Sequence, residues 1–170
     1  MADTQVILIV ASAGNGKTTK VKKITEGRPC IVYDPTGEYD HLEWDVNLAR
    51  SRYYNSDYEK FIELCNTKHG GTICVFEEAT SFLEGATGKK MKELITKRRH
   101  PLDKGGRNIV LVFHTVNTIP PFLLDNANFI ILGKTGESFE RIKRKKPELY
   151  KVAMYVKQAP KYTFVNYKNI

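Results

Sequence analysis

The stretch Ala11-Ser-Ala-Gly-Asn-Gly-Lys-Thr-Thr19 has residue types suited to one task, holding a polyphosphate. Gly14 and Gly16 let the backbone turn its N–H groups inward around a β-phosphate with no Cβ in the way. Lys17 would reach the β- and γ-phosphates and Thr18 would offer its hydroxyl to Mg²⁺. A helix opening near Gly16 would add its positive end to the same site. Ala11 stands at the first position of the GxxxxGK[ST] spacing, and it is small enough for that turn. Ala11, Ser12, Ala13, Gly14, Asn15, Gly16, Lys17, Thr18 and Thr19 are therefore expected to line a site for a nucleoside triphosphate such as ATP.

A second group follows the apolar run Thr72–Phe76, which delivers Glu77 and Glu78 side by side. In that place Glu77 would orient Mg²⁺, commonly through water, and Glu78 would accept a proton from the water attacking the γ-phosphate. Two acids after a strand also suit the cap of the next helix. The phosphate loop upstream selects the metal-and-base reading. His114 ends a third apolar run, Asn108–Phe113, and would lie between the loop and the acidic pair. There it would contact the γ-phosphate or the attacking water, the alternative being an ordinary loop histidine or helix cap. Gly133-Lys-Thr135 repeats the Gly-Lys-Thr letters with no small residue five positions earlier, so it is not a second phosphate loop. Lys134 still follows a strand toward the same edge.

These groups meet only if parallel strands end together. Apolar runs alternate with helical stretches, which argues for a mainly parallel sheet covered on both faces. Strands are expected near Gln5–Ala11, Cys30–Tyr33, Thr72–Phe76, Asn108–Phe113 and Phe129–Leu132. Helices are expected from the phosphate loop to Glu26, onward from Ser56, across Gly88–Arg99, after Pro120-Pro121, and across Glu137–Lys146. Residues 40–55 have no clear period and read as irregular. Lys151–Val156 and Lys161–Val165 alternate apolar and polar residues around Ala159-Pro160, the pattern of a terminal antiparallel pair.

With 170 residues and 41% hydrophobic content, the chain reads as one domain, residues 1–170, around a single core. No apolar run approaches the roughly 20 residues that cross a bilayer, and the N-terminus lacks the basic region of a secretory signal. Cys30, Cys65 and Cys74 read as reduced thiols in or near the core, and His41, His69, His100 and His114 show no metal-ligand spacing. The net charge of +8 points to a polyanionic partner, nucleic acid first. Basic residues cluster at Lys89–Lys92, Lys97-Arg98-Arg99, Lys104, Arg107 and Arg141–Lys146.

Asp34-Pro-Thr-Gly-Glu-Tyr39, after the second strand, resembles the D-P-x-G-E-Y segment of HerA-type ATPases. That broader group includes HerA and FtsK DNA pumps and the genome-packaging ATPases of many viruses. Phosphate loop, acidic pair, the Arg99-His100 segment and a polar residue ending a strand follow in the family's order, across residues 5–135. His114 stands where the family commonly has Gln, and Glu77 where Asp is usual. The resemblance implies a P-loop NTPase of the RecA/ASCE kind, a three-layer sandwich with a C-terminal antiparallel edge. It implies a homo-oligomeric ring, a pentamer or hexamer, hydrolysing ATP with Mg²⁺ at subunit interfaces. Arg98 or Arg99, with Arg107 behind them, would reach a neighbour's γ-phosphate. The implied function is translocation of double-stranded DNA, gripped without sequence preference through its phosphates, into a viral capsid. A capsid or portal protein is the further partner, and the host cytoplasm, with transient attachment to the virion, is the location. An export ATPase of the filamentous-phage kind, a small-molecule kinase and a nucleotide-gated DNA-binding module are the alternatives.

Overall fold

Strand periodicity divides the apolar residues between two faces of one sheet, and helices cover both. The computed structural model describes residues 4–39, 50–53, 57–68, 70–83, 85–99 and 105–169. In chain order these form β1 (Val6–Val10), α1 (Lys17–Thr25), β2 (Cys30–Tyr33), β3 (Arg50–Tyr53), α2 (Tyr58–Asn66), β4 (Ile73–Phe76) and α3 (Gly85–Thr96). After them come β5 (Asn108–Phe113), α4 (Pro121–Asn126), β6 (Phe129–Leu132), α5 (Phe139–Lys145), α6 (Leu149–Gln158) and β7 (Val165–Lys168). Short 3-10 turns at Ala79–Phe82 and Lys97–Arg99 flank α3.

The seven strands lie in the order β3-β2-β4-β5-β1-β6-β7. All neighbours are parallel except β6 and β7, paired antiparallel with Leu132 opposite Val165. One face packs Leu8, Val10, Tyr33, Phe76, Leu111 and Phe113 against Phe61 and Ile62 of α2 and Met91 and Leu94 of α3. The other face packs Ile9, Val32, Val75, Val110 and Val112 with Val21 of α1. All three cysteines are buried, and none is in a disulfide. Asp57 accepts from the Lys60 N–H at 3.1 Å and fixes the start of α2, while Ser138 opens α5 in the same way. Among the described residues no helix is long and apolar enough to cross a membrane.

The mainly parallel sheet and its antiparallel C-terminal edge match expectation, with two local corrections. Lys151–Val156 lies inside α6, whose buried residues Leu149, Ala153 and Val156 recur at helical spacing. The edge strand is instead β7, which begins only at Val165. Part of the stretch read as irregular is β3, parallel to β2 with Arg50 opposite Cys30. Residues 40–49, His41, His69, His100 and Lys104 lie outside the described residues.

Candidate active site

Parallel pairing brings the carboxyl ends of β2, β4, β5, β1 and β6 to one edge of the sheet, with β1 at the point where strand order reverses. In the loop after β1, Gly14 and Gly16 take φ of 69° and 83°, values that an L side chain would resist. The Asn15 side chain donates to Ser12 and Ala13 carbonyls, each at 3.4 Å, and the Lys20 N–H reaches Gly16 O to begin α1. Ala11 N donates to Phe113 O and Ser12 N to Lys134 O, so the strands on either side hold the loop. The Ser12 hydroxyl accepts from Gly136 N at 2.8 Å.

Lys17, His114 and Glu78 form one connected chain. Lys17 Nζ lies 3.3 Å from His114 Nδ1, and His114 Nε2 lies 2.7 Å from Glu78 Oε1. An ammonium only donates, so Nδ1 accepts and the ring proton belongs on Nε2, facing the carboxylate. Glu78 holds φ at 50°, left-handed backbone that a non-glycine residue rarely takes outside functional sites. That turn separates the two acids, with Glu78 half-exposed at the histidine and Glu77 only 5% exposed.

The segment after β2 supports Glu77. The Asp34 carboxylate accepts the N–H groups of Glu38 at 2.8 Å and Tyr39 at 3.1 Å, folding the turn back on itself. Tyr39, fully buried, donates its hydroxyl to Glu77 Oε1, and Glu38 Oε2 accepts from the Thr18 hydroxyl at 3.3 Å. Burial pushes the Glu77 carboxyl up to about 7, against the lowering effect of the Tyr39 hydrogen bond. Glu38 and Glu78 raise it further, whereas Lys17 lowers it. Burial likewise drives the Tyr39 phenol upward, so it remains a donor at ordinary pH.

A divalent cation would relieve that buried carboxyl, and the donors present fit Mg²⁺: a threonine hydroxyl and carboxylate oxygens, all hard. Among the described residues no three His, Cys, Asp or Glu side chains gather to hold a metal. Mg²⁺ commonly takes few protein oxygens and completes its shell with water and phosphate.

A cleft of about 630 Å³ opens beside the loop, lined by Ser12, Ala13, His114, Glu137 and Arg141 among others. Glu137 accepts the N–H groups of Val116 at 2.6 Å and Asn117 at 2.8 Å, tying the segment after His114 to the start of α5. Arg98 is 9% exposed and donates to Ile95 O at 2.8 Å. Arg107 is buried and donates to Cys65 O, Asn66 Oδ1 and Lys97 O. Both arginines brace the region around α2 and α3 through these bonds, whereas Arg99 ends the 3-10 turn beside them. Sequence reasoning assigned no site role to Glu38, Tyr39 or Glu137 and placed Arg141 only within a basic cluster. Glu38 and Tyr39 carried a signal in the Asp34–Tyr39 motif, whereas Glu137 carried none.

A glycine-turned loop at the reversal point of a parallel sheet defines the class: the architecture is that of the P-loop nucleoside triphosphatases. Among solved structures the chain is similar to the DNA-packaging ATPase B204 from Sulfolobus turreted icosahedral virus. The TM-score is 0.79 at 19% identity, over 99% of this chain and 94% of that one. The genome-packaging NTPase B204 of Sulfolobus turreted icosahedral virus 2, in complex with ATP-gammaS, gives 0.73 at 19% identity, over 99% and 93%. RuvB of Thermotoga maritima gives 0.53 at 14% identity, over 89% of this chain and 44% of that one. At such identities the likeness is one of fold. No protein-family model matches the chain, and no curated protein matches it in sequence.

Proposed function

We propose that this chain is a single-domain ATPase that drives double-stranded DNA into a viral capsid, working as a homo-oligomeric ring in the host cytoplasm. One observation carries the reading: the fold parallels the packaging ATPase B204 over nearly the full length of both chains, and Lys17, His114 and Glu78 meet at the loop. In this reading Lys17 exchanges its contact with His114 for the β- and γ-phosphates, which carry more negative charge. His114 then faces the γ-phosphate while still oriented by Glu78. Glu78 takes the proton of the attacking water, and its fixed backbone keeps it aimed there. Mg²⁺, held through Thr18 and Glu77, would neutralise charge that builds on the phosphate oxygens. Arg99 acts across the subunit interface, since Arg98 is already engaged within its own chain. The basic residues Arg141–Lys146 of α5 and its end would contact DNA phosphates, and Glu137 joins that element to the segment following His114.

Phosphate release from ATP with Mg²⁺ at low salt, with and without linear duplex DNA, tests this. Stimulation by duplex that fades as salt rises is expected. Turnover indifferent to DNA, with a phosphorylated metabolite as product, would replace the motor by a kinase.

A further inference from the structure

The acidic pair and His114 mark which way the phosphates point. They belong to β4 and β5, on one side of β1, so the γ-phosphate end of the site faces that side. The α-phosphate end, and the ribose and base beyond it, must then leave toward β6 and β7. On that side stands a short strap, Lys161–Phe164, between α6 and β7. A turn with Thr163 N on Pro160 O shapes it, and the pairing of Val165 with Leu132 anchors it to the sheet edge.

Tyr162 is 60% exposed and holds φ at 68°; with Glu78 it makes the pair of non-glycine residues at positive φ among the described residues. Its ring lies against the phosphate loop: a Cβ on Gly16 would come within 3.1 Å of Tyr162 Cδ1 and 3.8 Å of Phe164 Cε2. Phe164 is wedged deeper, where a Cβ on Gly133 would meet its ring at 2.6 Å. Lys20 Nζ sits 5.9 Å from the Phe164 centroid, which brings the first turn of α1 to the same wall. A strained, solvent-facing aromatic gains little from packing. Beside a phosphate site it offers a flat apolar face where a purine would emerge.

We propose that Tyr162 is the platform on which the nucleobase of bound ATP stacks, with Phe164 seating it against Gly16 and Gly133. This rests on the nucleotide-binding reading above.

Binding of Mg²⁺-ATP and of Mg²⁺-tripolyphosphate to wild type, Tyr162→Gly and Tyr162→Phe tests it. Glycine adopts the positive φ and removes only the ring. ATP affinity should fall about tenfold or more in Tyr162→Gly, in line with the loss of a base–aromatic stack, while tripolyphosphate binds as in wild type. Tyr162→Phe should retain ATP affinity. Equal losses for both ligands, or no loss for either, would overturn the platform. Wild type that binds neither would overturn the nucleotide reading itself. Photolabelling of the wild-type chain with 8-azido-ATP needs no variant: label within Lys161–Phe164 is expected, and label confined elsewhere would refute the assignment.

Discussion

Tyr39→Phe isolates one hydroxyl at the centre of the site. The ring fills the same buried space, so apolar packing is preserved, and only the donor to Glu77 Oε1 is lost. Hydrogen bonds to charged groups contribute about 1.5–3 kcal/mol, and leaving Glu77 buried without this donor places the loss near 2 kcal/mol. For a chain of 170 residues this corresponds to a fall in Tm of about 4–8 °C. The hydroxyl also holds the Glu77 carboxyl down, so its removal raises a group already near 7 and increases the protonated fraction at neutral pH. Protons then compete more strongly with Mg²⁺ for Glu77, and the Mg²⁺ concentration for half-maximal hydrolysis should rise several-fold. Urea denaturation without nucleotide and a Mg²⁺ titration of phosphate release read the two effects. An unchanged unfolding midpoint together with an unchanged Mg²⁺ requirement would refute the role assigned to Tyr39.

Glu78→Gln should keep ATP affinity within a few-fold of wild type and cut turnover by about a hundredfold or more, as expected for loss of a general base; normal turnover would move the base elsewhere. Glu77 makes stability depend on pH. Its carboxyl is raised from 4.5 to about 7, so the native state holds a proton that the unfolded chain releases, and this group favours the fold most at low pH. That contribution, about 3 kcal/mol, is lost as pH rises through 7. Glu77→Gln should therefore flatten the decline in nucleotide-free stability between about pH 5 and pH 8, and a slope equal to wild type would show that Glu77 does not titrate there. Mixing Arg99→Ala with Lys17→Ala subunits should restore part of the activity that each lacks alone. No recovery in assembled mixtures would count against action across an interface.

The parallel core was readable because its signals are local. The runs at Val6–Val10, Ile73–Phe76 and Asn108–Phe113 are apolar at every position or nearly so, as buried parallel strands must be. Their ends then fixed the expected places of Lys17, Glu78 and His114. Arg50–Tyr53 had no such signal, since a polar four-residue strand at the sheet edge needs no apolar run. In α6 the window Lys151–Val156 is too short to separate a period of 2 from 3.6, and extending it back to Leu149 resolves it. The contacts of Tyr39 with Glu77 and of Glu38 with Thr18 span 38 and 20 residues. Only the folded sheet brings those partners together. Arg98 and Arg107 looked like exposed cations in a basic run, yet both turn inward to main-chain carbonyls.

The turn from Asp34 to Tyr39 also works as a ruler. One carboxylate clamps two successive N–H groups, Gly37 reverses the chain at φ 76°, and the next two side chains diverge, one to the phosphate loop and one beneath the acidic pair. Inserting or deleting a single residue between Pro35 and Gly37 would leave every functional side chain in the sequence and still aim both at the wrong partners. Spacing there thus matters as much as residue identity. A library that varies loop length should find this turn nearly intolerant, in contrast to the usual tolerance of surface connections.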